Sequence, residues 1–144
     1  MERDTTTRKA IEELKNYNCI KAAVENLNDE IKMIESSMRA TGGILSPIPI
    51  HGGGSKQEEK LINSIDKKSN LLIKINEKKT LIEIIERSLS VLNHRERRAV
   101  EVAYIQDCES AVDALCEEFN VEEITVHRIK RRALEKYINA RFSG

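Results

Sequence analysis

Residues 115–134, LCEEFNVEEITVHRIKRRAL, carry the pattern that decides the fold. Leu115 and Phe119 lie one helical turn apart with the smaller Cys116 beside them, as a short helix needs where a second helix crosses it closely. Asn120 comes next, the residue that tolerates the left-handed region best after glycine, and Val121 is placed to plug the turn. A second helix then runs from Glu122 to about Arg141, with Val126 and Ile129 inward and Leu134 and Ile138 continuing that stripe. One register satisfies all these positions, so the stretch reads as two helices joined by a tight turn, a helix-turn-helix.

The same register sets what the second helix shows to solvent. Glu123, Ile124, His127, Arg128 and Arg131 face outward, with Thr125, Lys130 and Arg132 at the margins. Arg128 and Arg131, three apart, share a face. A guanidinium grips the guanine edge or a phosphate with two parallel hydrogen bonds, and His127 or Thr125 can add a base or backbone contact. Glu123 can accept from a cytosine amino group or simply favour the helix N-terminus. The candidate DNA-binding residues are therefore Glu123, Thr125, His127, Arg128, Lys130, Arg131 and Arg132. Charge follows the same division: residues 124–144 hold six Lys/Arg against one acid, whereas 107–123 hold seven acids and no Lys/Arg. The acidic helix can point away while the basic one docks on a duplex. The competing reading is a solvated face, because the macrodipole alone favours basic residues toward a helix C-terminus.

Upstream, Asn93 and Glu96 match a capping box and start a helix that carries Val100, Ala103 and Tyr104 inward and ends near 106–109. Farther back, Tyr17, Ile20, Val24, Leu27, Ile31, Ile34 and Met38 alternate intervals of three and four in a stretch free of Gly and Pro, the seam of a coiled-coil-like helix. Ile11 and Leu14 extend it. The Gly- and Pro-rich run over 41–56 then breaks the pattern and reads as a loop. A second helical stretch over 57–91 places Leu61, Ile65, Leu72, Ile75, Ile82, Ile85 and Leu89 on one stripe, interrupted by Lys68 and Lys79. The expected architecture is all-α: a long N-terminal helical hairpin over 1–91, for oligomerisation or partner binding, then a helix-turn-helix domain over 92–144. A two-helix hairpin has little interior of its own, so its stripes need a partner, either a second copy of the chain or the C-terminal domain.

The residues Leu92 to Arg97, the Tyr104 region, and Val121 to Arg128 followed by Arg131-Arg132-Ala133-Leu134 resemble region 4 of sigma-70-type transcription factors. With the upstream hairpin and its Gly/Pro-rich loop, the chain resembles small phage- and prophage-encoded regulators of the RinA/ArpU type. The resemblance implies a DNA-binding transcription regulator in a bacterial host, acting at a promoter and touching RNA polymerase; a cytoplasmic location is expected because Met-Glu-Arg-Asp lacks the basic-then-apolar pattern of a signal peptide. No segment resembles sigma region 2, which melts promoters, so it implies a regulator rather than a whole sigma factor.

Other classes find little support. Aromatics make up 3% of the chain and charged residues 33%, which suits solvent-facing helices better than a β-sandwich. Lys/Arg and Asp/Glu balance at 24 each, so net charge is silent about nucleic acid. Cys19, Cys108 and Cys116, with His51, His94 and His127, show no metal-ligand spacing, and the pattern calls for no metal, cofactor or catalytic residue. Gly52-Gly53-Gly54-Ser55-Lys56 lacks the spacing and preceding strand of a phosphate loop. No apolar run is long enough for a membrane span. Two alternatives use the same helices: a phage small terminase subunit binding packaging-site DNA, and a coiled-coil interaction protein whose helix-turn-helix binds no DNA.

Overall fold

The helical stretches on either side of the Gly- and Pro-rich run form the two longest helices, α1 (Glu2–Gly42) and α2 (Gly54–Leu89). In the computed structural model, which describes residues 2–42 and 54–142 and the side chains of 4–40 and 56–142, four further elements follow. They are α3 (His94–Val100), a π-helical turn (Glu101–Ile105), α4 (Ala111–Phe119) and α5 (Glu123–Phe142). The chain is all-α, with no strand among the described residues. Of the loop expected over 41–56, residues 43–53 lie outside the described residues, and the positions on either side belong to α1 and α2. The chain forms two compact units, one of Lys21–Lys79 and one of Met1–Ile20 with Thr80–Gly144.

In the unit Lys21–Lys79, α1 and α2 run antiparallel: Glu35 pairs with Lys68 at 3.1 Å, and Ala23, Asn26 and Leu27 line a cleft with Lys74, Glu77 and Lys78. Val24 and Ile31 are buried opposite Leu71 and Ile75, while Leu27, Ile34 and Met38 are half-buried. The α1 stripe is thus the one its spacing predicts. The α2 stripe is so in part: Ile75, Ile85 and Leu89 are buried, and Leu61 and Ile82 half-buried. Ile65 and Leu72 are exposed, and the seam instead takes Ser64, Lys68, Leu71, Ile75 and Lys78, a 4-3-4-3 spacing. Lysine can serve there because its methylene stem packs while the ammonium reaches outward, as Lys68 does toward Glu35.

In the unit of Met1–Ile20 and Thr80–Gly144, the capping box starts α3 as the spacing requires. The Glu96 amide donates to Asn93 Oδ1 at 2.9 Å, and the Asn93 amide donates to Glu96 Oε1 at 3.0 Å. The helix then widens into the π-turn, closed by the Gln106 amide donating to the Glu101 carbonyl at 2.8 Å. Every residue from Arg98 to Ile105 is at least half-buried because this stretch lies between two clusters. Ala99 and Val102 join Ala111, Leu115 and Val126 in one; Val100 joins Ala10, Leu14, Ile85, Leu89, Leu92, Ala133 and Tyr137 in the other. Helix α5 serves both, with Val126 in the first cluster and Ala133 and Tyr137 in the second. Leu134 and Ile138, expected to continue the inward stripe, are only partly buried.

Candidate nucleic-acid interface

The turn between α4 and α5 is built by one backbone reversal. Asn120 adopts φ 54° and ψ 51°, and the Val121 amide donates to the Cys116 carbonyl at 3.1 Å, closing the end of α4. Leu115 and Val126 are fully buried on either side of this turn, with Cys116, Phe119, Val121 and Ile129 packed against them. The reversal turns the chain out of α4 and into α5, and packing of Val126 and Ile129 sets which side of α5 faces solvent.

That side carries Ile124, His127, Arg128, Arg131 and Arg132, all exposed. Among the described residues, none of the three arginines forms an ion pair. Several other basic side chains of the unit are engaged. Arg98 donates from Nε to both carboxylate oxygens of Glu118, at 2.9 and 3.0 Å, and Arg141 is held by Glu13. Glu123, the first residue of α5, is exposed with Oε1 3.5 Å from His127 Nε2. Thr125 is half-buried. Lys130 is half-buried too, with Nζ 5.6 Å from the Tyr104 ring centroid, so a cation–π contact holds it against the π-turn.

The sequence reading left two features out of the candidate set. Ile124 is 58% exposed on the arginine face. Arg95, at the start of α3, is exposed with its guanidinium 5.5 Å from the Phe119 centroid, which sets another cation beside the end of α4. Phe119 and Arg95 are far apart in the chain, and no local pattern links them.

The acids of α4 that would repel phosphate are partly offset. Glu118 is neutralised by Arg98, while Asp113 and Glu117 stay exposed. Cys116, near Asp113 and Glu123, has its thiol pushed up by burial and by these two carboxylates, so it stays protonated. No group of three or more His, Cys, Asp or Glu side chains able to hold a metal occurs among the described residues. Nor is any described helix long and apolar enough to cross a membrane. What the arrangement offers chemically is a row of planar, unpaired guanidinium donors on one side of a helix that is anchored on the other.

No protein-family model matches the chain, and no solved structure matches it. The chain is similar to the RNA polymerase sigma factor RpoH of Rhizobium radiobacter, with 26% identity over 109 residues that cover 75% of this chain. The match spans 36% of that protein's length, so this chain corresponds to little more than a third of it.

Proposed function

We propose that this chain is a sequence-specific, double-stranded-DNA-binding transcription regulator that lays α5 in the major groove. The observation that carries this reading is the exposed, unpaired row Arg128, Arg131 and Arg132 on a helix locked from behind by Val126 and Ala133. Unpaired guanidinium groups suit phosphate oxygens and guanine edges, and a helix entering through a tight turn is the usual geometry for presenting them. His127, Glu123 and Thr125 add polar contacts near the helix start, whereas Lys130 steers phosphate at the margin. Similarity to a protein named as an RNA polymerase sigma factor supports a role at promoters and contact with RNA polymerase. The exposed acids of α4 repel phosphate and so suit a protein partner. The resemblance of the hairpin and the C-terminal module to phage- and prophage-encoded regulators supports such a regulator, and the exposed apolar residues of α2 support a self-associated assembly.

The test is affinity of the full chain for cognate and scrambled duplexes at several salt concentrations. Arg128→Ala or Arg131→Ala should weaken cognate binding by about 1–3 kcal/mol where the arginine reads a base, with relaxed preference at that position. A phosphate contact would instead weaken all sequences alike and reduce the salt slope by about one. Melting should change by less than about 0.5 kcal/mol of stability in either variant. Folded variants that bind like the wild type would reduce the arginine row to a solvated surface. Mapping the protein on its own genome separates a promoter peak from a packaging-site peak, and the latter would make it a terminase subunit.

A further inference from the structure

Ile124 is the second residue of α5 and 58% exposed, although Val126, two residues on, is fully buried. At 100° per residue it shares the outward face with Arg128 and Arg131, four and seven positions later. Its neighbours on that face are His127 and Arg128, so it is part of no larger apolar patch of the kind that docks a protein. Single exposed apolar residues are common on protein surfaces. This one stands in the first turn of the arginine-bearing helix, the part of a groove-bound helix that reaches base edges.

An isoleucine side chain has no donor or acceptor. The one base feature in the major groove that it can recognise by burial is the C5-methyl group of thymine. Resting on the DNA-binding reading above, we infer that Ile124 reads a thymine through that methyl group. It supplies apolar selectivity at one base pair while Arg128 and Arg131 hold the adjoining bases or phosphates. The side chain's branched Cβ limits its χ1 freedom, so little rotamer entropy is lost when the contact forms.

The test begins by enriching a duplex library with a randomised core on the full chain. In the enriched duplex, each thymine is then replaced singly by deoxyuridine, which removes one methyl group and leaves base pairing unchanged. Wild-type affinity should fall roughly fourfold at one position, the size expected for leaving one methyl group unburied. Ile124→Ala should bind the thymine and uracil duplexes equally at that position, and Ile124→Val should retain part of the discrimination. Melting curves establish that both variants are folded. The inference is overturned if the wild type binds every uracil-substituted duplex as tightly as the parent, or if Ile124→Ala shows the same methyl penalty. A library from which nothing is enriched removes the DNA-binding reading itself, and this one with it.

Discussion

A single carboxylate oxygen, Glu96 Oε1, accepts from both the Asn93 amide at 3.0 Å and the Lys136 ammonium at 3.0 Å. It thereby joins the start of α3 to the second half of α5. Glu96 is only 2% exposed. Burial opposes its ionisation, but the Asn93 and Lys136 hydrogen bonds and the nearby Lys136 and Arg132 charges outweigh it, so its carboxyl is held below the usual range. A group depressed in the folded state contributes stability above its unfolded pKa and loses it as pH falls through the folded value. Glu96→Gln keeps an acceptor for the Asn93 amide yet removes the charge facing Lys136. It should cost about 1–3 kcal/mol at neutral pH, and the gap to wild type should close as the pH drops below the carboxylate range. Thermal melts of both proteins from neutral to acid pH check this. A gap that does not change with pH would mean that the Lys136 contact contributes nothing.

At the scale of elements, one cluster fastens α1 to α5. Glu13 Oε1 accepts from Tyr137 Oη at 2.7 Å and from Arg141 Nε at 2.8 Å, and Oε2 accepts from Arg141 Nη2 at 3.0 Å. Burial and the Glu13 carboxylate push the Tyr137 hydroxyl far up, so it remains a neutral donor at all physiological pH. Tyr137→Phe should cost about 0.5–1.5 kcal/mol, because Arg141 still satisfies Glu13; Glu13→Ala should cost about 1.5–3 kcal/mol, because a buried hydroxyl and a guanidinium both lose their acceptor. Urea unfolding measures both, and a Glu13→Ala variant as stable as wild type would show that apolar packing alone joins these helices. None of this was legible in the sequence, since Glu13 and Tyr137 stand 124 residues apart. What was legible is what short-range chemistry dictates: the Asn93/Glu96 cap, the left-handed Asn120, the α1 seam and the inward Val126. The π-turn escaped because packing between two clusters imposes it on an otherwise ordinary helical stretch; Asp107, exposed just beyond it, also takes a positive φ of 49°. On α5 the outward arginines followed from periodicity, but the capture of Lys130 by Tyr104 depends on a residue from another element.

At the scale of the molecule, the α1 seam is already occupied within the chain and is not free for a second copy. Val24 and Ile31 are buried in the same unit as Leu71 and Ile75. On α2 hydrophobicity alone misplaced Ile65 and Leu72 for a related reason: this helix has apolar residues on two faces, and only the tertiary partner selects one. The face left over holds Ile62, Ile65, Leu72 and Ile73, each between 43 and 56% exposed. Ile62, Ile65 and Leu72 follow heptad spacing, with Ser69 completing the row, so two copies can lay the same stripe against each other in a symmetric pair. A two-fold assembly of this kind would carry two copies of α5 and suit a duplex with repeated half-sites. The double variant Ile65→Asp/Leu72→Asp places charges in that stripe without touching the Leu71 and Ile75 seam. It should lower the solution mass measured by sedimentation while leaving helical content and melting close to wild type. Ile31→Asp is the contrast, since a charge in the occupied seam should unfold the pairing of α1 with α2 itself. A wild type that sediments as a monomer at tens of micromolar, roughly where weak coiled coils assemble, would remove self-association from the proposed function. An oligomer untouched by the double aspartate would move it to another surface.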